Sequence, residues 1–302
     1  MPGRRERQTE TEQRSSGSSE PDRRKEKETQ MDILHQKYRK LKEILRSCGT
    51  IAIAYSGGVD STFLLKTAAE VLGGQVLAVT AAAPFVPERE LQETKRFCGE
   101  NGIRQTVIVS DVLDSETFRK NPPDRCYYCK RDLFGRMLAE ADRNGIPVIA
   151  EGSNMDDTGD YRPGLRAIRE LGVRSPLQEA GLYKSEIRAL SRELGLPTWD
   201  KPSFACLASR FVYGEAITEK KLAMVDRAEQ RLLDLGFRQF RVRLHGNLAR
   251  IEVLPEEMER LAAAPVREGL YAQLKAIGFD YVTLDLGGYR TGSMNETLQG
   301  TQ

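Results

Sequence analysis

Residues 51–61 constrain the fold more than any other segment. Ile51-Ala52-Ile53-Ala54-Tyr55 is a short, mostly apolar run that passes directly into Ser56-Gly57-Gly58-Val59-Asp60-Ser61. This reads as a buried strand, a tight turn and then a helix over 61–72, ended by Gly73-Gly74. The alternation continues with strands predicted over 76–80, 105–109 and 147–150. Helices are predicted over 32–47, 87–101, 131–143 and 184–194. Short apolar strands separated by helices build a parallel, doubly wound α/β sheet. Residues 198–214 carry little regular pattern and read as an active-site loop. A different pattern follows: helix 218–235, strands 238–244 and 248–254, a helical stretch 255–277 broken at Pro265, and a strand 281–286. That is a smaller α+β unit. The expected organisation is a disordered tail 1–30, a first domain 31–200, a linker 201–217 and a second domain 218–296.

The hexapeptide 56–61 has the chemistry of a phosphate loop. Gly57 and Gly58 let the backbone turn tightly and approach an anion. The helix that follows aims its free N–H groups and positive dipole end at that anion. Ser56 and Ser61 add hydroxyl donors. Asp60 suits a magnesium ion carried by the phosphates. The Lys-Ser/Thr ending of a Walker A loop is missing. Gly152, Ser153 and Asn154 follow the fourth strand, at the carboxyl edge where open α/β sheets bind ligands. Lys184 opens a helix, where its charge serves the dipole poorly; a phosphate or adenylate contact explains it, and an ordinary exposed lysine is the alternative.

Composition excludes several function classes. Lys plus Arg number 46 against 44 Asp plus Glu, a net charge of +2, so no basic excess points to nucleic acid or an acidic membrane. No window holds the ~18 apolar residues of a membrane span, and the N-terminus lacks the apolar stretch of a secretory signal. A cytoplasmic protein is expected. Residues 1–30 contain 15 charged residues and too little apolar surface to offset their ordering entropy. A disordered tail and a true start at Met31 are equally open.

Five cysteines (Cys48, Cys98, Cys126, Cys129 and Cys206) in a reducing compartment argue against a disulfide framework. Cys126 and Cys129 form a C-x₂-C pair suited to a metal centre or a redox pair, but no second such pair completes a zinc site. Cys206 sits in an apolar stretch, where cysteine is more often inert core than nucleophile, but Arg210 is placed to lower its pKa. Cys48 and Cys98 read as structural. Arg241 and Arg243 alternate along a strand and share one face, with Ser209 and Arg210 as further candidates for an anionic substrate. Asp285 and Glu252 read as arginine partners or magnesium ligands, and His245 as a satisfied histidine rather than a base.

The 56–61 loop resembles the pyrophosphate (PP) loop of the ATP pyrophosphatases. Further segments resemble the LarE family: Asn121-Pro-Pro-Asp-Arg-Cys126-Tyr-Tyr-Cys129-Lys130, Glu151-Gly-Ser-Asn-Met-Asp-Asp157, Asp160-Tyr-Arg-Pro-Gly164, Pro202-Ser-Phe-Ala-Cys206-Leu-Ala-Ser-Arg210, Phe240-Arg-Val-Arg-Leu-His245 and Thr283-Leu-Asp-Leu-Gly-Gly288. The likeness spans about residues 32–296. It implies a PP-loop fold and an ATP-dependent sulfur transferase. The implied substrate is pyridinium-3,5-biscarboxylic acid mononucleotide, on the way to the nickel-pincer cofactor of lactate racemase. It also implies ATP and Mg²⁺, a homo-oligomer (family members are hexameric), and a nickel insertase downstream. Cys206 is then the sulfur centre. Two sulfur routes stay open. Members with a lone cysteine give up its sulfur; members with three, as in Cys126, Cys129 and Cys206, are expected to hold a [4Fe-4S] cluster with one iron open. A tRNA thiolase and a non-catalytic nucleotide-binding regulator are the alternatives. The missing basic excess and missing zinc-finger cysteines argue against the first, and Asp60 with its flanking serines against the second.

Overall fold

Four strands, β1 (Ile51–Ala54), β2 (Val76–Ala82), β3 (Arg104–Val109) and β4 (Ile149–Ala150), run parallel in the order β3-β2-β1-β4. The computed structural model describes residues 20–159, 163–203, 206–290 and 292–295. The expected tail over 1–19, the motif residues Asp160 to Arg162, Phe204 and Ala205, and position 296 lie outside the described residues.

The sheet is covered on both faces, and strand periodicity explains how. Ile51 and Ile53 of β1 and Val76 and Ala78 of β2 pack into one core. There they meet Leu41 of α1 (Glu20–Cys48), Phe63 of α2 (Val59–Leu72) and Ile187, which lies beyond β4. Ala52, Leu77 and Val79 point the other way, against Phe134 and Met137 of the helix that follows β3. A period of two sends alternate side chains to opposite faces, and burial on both makes each strand read as a continuous apolar run.

The remaining helices are α3 (Glu88–Glu100), α4 (Glu116–Arg119), α5 (Arg125–Arg143), α6 (Pro163–Glu170), α7 (Pro176–Glu179), α8 (Lys184–Glu193), α9 (Glu219–Asp234), α10 (Met258–Ala262) and α11 (Ala264–Ile277). Two helix starts differ from the sequence expectation. Residues 20–31 continue α1, because Glu, Arg, Lys and Gln are good helix formers and extension from a formed helix is easy. The helix expected from 131 begins at Arg125. Tyr127 drives the earlier start: it is buried, donates to Glu170 at 2.6 Å and lies 4.0 Å under the Arg166 guanidinium. The C-x₂-C pair is therefore helical. The expected break in 255–277 falls at Ala263, with Pro265 in the first turn of α11, where a missing N–H costs nothing.

A second sheet joins β5 (Phe240–His245), β6 (Leu248–Val253) and β7 (Tyr281–Leu284). β5 and β6 form a hairpin turned at Gly246, φ 62°. Val242, Leu244 and Ile251 pack with Leu222, Val225 and Leu232 of α9. Phe85 and Phe118, from the first half of the chain, enter the same core. The loop expected at 198–214 ends on this sheet through a bridge from Phe211 to Leu244. Among the described residues no helix is long and apolar enough to cross a membrane.

Candidate active site

The carboxyl edge of the parallel sheet opens into a cavity of about 540 Å³. Ser56, Gly58, Asp60 and Ser61 line it, and so do Cys126, Cys129 and Cys206. Gly57 has φ 73°, and a Cβ there would stand 3.0 Å from Thr94 Cγ2. At Gly152 a Cβ would come within 3.0 Å of the Ser61 amide nitrogen. Glycine at 152 thus lets the loop after β4 lie against the start of α2. The Ser56 and Ser61 hydroxyls are 3.1 Å apart. Glu151 accepts from the Ser153 hydroxyl at 2.8 Å and the Ser175 hydroxyl at 2.6 Å, which sets this loop.

Asp60 is central to the loop end. Its Oδ2 pairs with Lys184 Nζ. Its Oδ1 is buried with no hydrogen-bond partner among the described residues. Burial raises the carboxyl above the usual carboxylate range, outweighing Lys184. Lys184 is the first residue of α8, and the Asp60 charge opposite explains a cation at that helix end.

The thiol end is built from two segments. Cys126 and Cys129 sit in the first two turns of α5, and Cys206 precedes a short helical turn over Leu207–Arg210. Among the described residues no three His, Cys, Asp or Glu side chains converge as they would on a single ion. The thiols nevertheless act on one another: burial pushes Cys129 up, and Cys206 and Cys126 add to that. Cys206 opens onto the cavity, but the surrounding walls desolvate it. Burial pushes its thiol up to about 11 against the opposing charges of Arg125 and Arg210. Arg210 does act to lower it, as expected, but desolvation outweighs that charge. Arg210 is itself 1% exposed and committed to Glu229, with Nε–Oε1 2.7 Å and Nη2–Oε2 2.9 Å. Burial alone would raise Glu229, but Arg210 holds it below the usual range.

A pH dependence follows. Only the thiolate alkylates, so metal-free protein should be alkylated slowly at Cys206 near neutral pH. The rate should rise about tenfold per pH unit and level off near pH 11. Peptide mapping after iodoacetamide at several pH values checks this; a plateau already at pH 8 would contradict it.

Of the remaining sequence candidates Arg210 is on the cavity lining, whereas Ser209, Arg241 and Arg243 are not. Arg243 is paired with Glu252 at 2.9 and 3.0 Å and donates to the Ser209 carbonyl at 3.1 Å. Arg241 donates to the Ser203 carbonyl and stacks 5.0 Å from the Tyr289 ring. Burial and the Arg210 charge bring its pKa down to about 10. Arg210 donates to the Cys206 carbonyl at 3.3 Å and to Ser209 Oγ at 2.9 Å. Three guanidiniums therefore hold the carbonyls of residues 203, 206 and 209. Asp285 pairs with Arg250 at 3.4 Å. His245 Nε2 is buried without a partner among the described residues, and burial lowers its pKa. Cys98 is buried in the α2-side core, and Cys48 accepts from Arg174 at 3.1 Å.

Two residues of this site were not singled out from the sequence. Lys201 donates to Glu90 at 2.6 Å, Glu93 at 2.7 Å and the Gly57 carbonyl at 3.3 Å. It ties the phosphate loop to the segment that leads to Cys206. Burial would lower its pKa, but the two glutamates raise it. Its partners lie more than a hundred positions away in sequence, so no local pattern marks it. The other is Arg125, beside the C-x₂-C pair, buried and on the cavity wall.

No family model matches the chain. The pyridinium-3,5-bisthiocarboxylic acid mononucleotide synthase of Lactiplantibacillus plantarum is 40% identical over 274 residues, covering 90% of this chain and 98% of that protein. The chain belongs to the LarE family. An uncharacterized protein of Synechocystis sp. is 41% identical over 266 residues, 88% of this chain and 99% of its own. A glutamine-hydrolyzing GMP synthase subunit of Thermoplasma acidophilum is 29% identical over 206 residues, 62% of this chain and 64% of its own. This LarE protein is accordingly a PP-loop enzyme, an ATP-dependent sulfur transferase on an α/β parallel sheet with a separate small sheet. The loop over residues 56–61 follows β1 of that parallel sheet.

Proposed function

We propose that this enzyme adenylates the carboxylates of pyridinium-3,5-biscarboxylic acid mononucleotide and replaces each adenylate with sulfur. The observation that carries the reading is one cavity lined by both a PP-loop and three cysteines; the relative's bisthiocarboxylic acid mononucleotide product supports it. A carboxylate is a poor acyl donor because oxide would have to leave. Its oxygen attacks the α-phosphorus of ATP and pyrophosphate departs. A sulfur then attacks the acyl carbon and AMP departs. Ser56, Gly57, Gly58 and Ser61 cradle the phosphates, with Gly152 and Lys184 beside them. The buried, partnerless Oδ1 of Asp60 fits a magnesium ligand; magnesium, when bound, neutralises phosphate charge.

The sulfur end fits a [4Fe-4S] group by its donor set, since cluster thiolates bind separate irons and need not converge on one point. Cys126, Cys129 and Cys206 would hold it. Bound there, it supplies an open iron site for hydrosulfide. Coordination would deprotonate these thiols outright, whereas a lone Cys206 nucleophile is weakened by the burial that pushes its thiol up. The second route is loss of the Cys206 sulfur itself. The substrate role expected of Ser209, Arg210, Arg241 and Arg243 remains part of the proposal in a modified form: they fix the backbone that presents Cys206, and Arg210 reaches the cavity wall. A cytoplasmic homo-oligomer that passes its product to a nickel insertase completes the reading.

The test is purification without oxygen, followed by assays for iron, acid-labile sulfide, pyrophosphate and thiocarboxylate. About four iron and four sulfide per chain, with repeated turnover when sulfide is added, is the expected result. Iron-free protein that thiolates once and loses hydrogen sulfide from Cys206 would select the second route. Absence of pyrophosphate with the dicarboxylate substrate would overturn the proposal.

A further inference from the structure

Six cationic side chains line the cavity: Arg89, Arg125, Lys130, Lys184, Lys201 and Arg210. Four have carboxylate partners. Arg89 pairs with Asp226 at 2.5 Å, Lys184 with Asp60, Lys201 with Glu90 at 2.6 Å and Arg210 with Glu229 at 2.7 Å. Lys130 is half-buried and within reach of water. Arg125 is different: it is 5% exposed and has no carboxylate partner among the described residues. Its contacts are the Asn121 Oδ1, which accepts from Nη1 at 2.7 Å, and the Tyr213 ring at 5.0 Å. A buried charge without a counter-ion is costly, and such a guanidinium on a cavity wall marks the place of an anion.

The support for Arg125 is itself unusual. Asn121 is fully buried and has φ 51°, the single positive φ outside glycine among the described residues. Its amide donates to the Val212 carbonyl at 2.7 Å. Such a conformation persists only where the surroundings over-determine it. An amide oxygen orients the guanidinium without neutralising it, as an aspartate would. Arg125 also precedes Cys126 in α5 and lines the same cavity as Cys206.

We infer that Arg125 binds the substrate carboxylate that is to be adenylated, holding it between the phosphate loop and Cys206. The inference rests on the carboxylate-adenylating reading above and deepens it. A guanidinium fork matches a carboxylate bidentately. It also offsets the repulsion between that carboxylate and the ATP phosphates.

The test is calorimetric binding of pyridine-3,5-dicarboxylate, in the presence of α,β-methylene ATP, to wild type, Arg125→Lys and Arg125→Gln. Arg125→Gln should weaken dicarboxylate binding roughly 10- to 100-fold, on the strength of hydrogen bonds to charged groups. Arg125→Lys should recover part of the loss, and the affinity for the ATP analogue should stay within about twofold, which also reports that the fold is intact. Unchanged dicarboxylate affinity in Arg125→Gln overturns the assignment, and so does an equal loss for the ATP analogue. A shift confined to the sulfide dependence of thiolation would assign the residue to hydrosulfide and also overturn it. If wild type binds no dicarboxylate the assignment falls. Pyrophosphate release with the full mononucleotide in the same preparation then shows separately whether the wider reading stands.

Discussion

Cys206→Ala is expected to release pyrophosphate from ATP and substrate yet form no thiocarboxylate, a loss of more than about 10³-fold in sulfur transfer. The two half-reactions separate because their groups are separate in the structure. The proposal assigns adenylation to Ser56, Gly58, Asp60 and Ser61, and the Ser56–Ser61 and Asp60–Lys184 contacts do not involve the Cys206 side chain. The substitution should also leave the fold intact. Cys206 is exposed to the cavity, and what anchors its segment is backbone: Arg210 holds its carbonyl at 3.3 Å, while Arg241 and Arg243 hold those of Ser203 and Ser209. Pyrophosphate is measured by a coupled assay and the product by mass spectrometry. Thiocarboxylate at the wild-type rate from Cys206→Ala would remove this cysteine from the chemistry under either sulfur route.

Asp60→Ala is expected to lower AMP and pyrophosphate formation by roughly 10²- to 10⁴-fold, the range for losing a metal's charge stabilisation in phosphoryl chemistry. A second readout distinguishes this from general damage. In wild type, Asp60 holds Lys184 in an ion pair at the loop. Removing the carboxylate frees that lysine and deletes a negative charge facing the phosphates. ATP affinity measured without magnesium should therefore hold or improve, while the gain in affinity on adding magnesium should vanish. Unfolding would instead remove both. Near-normal pyrophosphate formation from Asp60→Ala would show that this residue is not the magnesium ligand.

Much of the architecture is legible in local pattern. The strands β1 and β2 were readable because both of their faces are buried, leaving runs such as Ile51–Ala54 without polar residues. The 56–61 loop was readable because Gly57 must adopt φ 73°. Boundaries were less legible where tertiary contacts override propensity. α5 starts six residues before the expected 131 because Tyr127 is held by Arg166 and Glu170 of α6. The arginines of β5 were recognisable as a pair on one face, but their surroundings were not. A lone sequence shows that Arg243 is charged, not that Glu252 lies 2.9 Å away and fully buried.

Residue types at fixed spacing were sufficient for the strand–turn–helix of residues 51–72, the C-x₂-C pair and the parallel sheet, because each depends on neighbours within a few positions. The electrostatics of the cavity depend on distant partners. Whether Arg210 acts on the Cys206 thiol or is committed to Glu229, and whether Arg125 has a counter-ion, is settled by helices and strands brought together from across the chain. Burial then determines the outcome. The same arginine that would activate a thiol in water cannot outweigh the desolvation that pushes Cys206 up to about 11, and desolvation is a property of the folded surroundings rather than of any stretch of sequence.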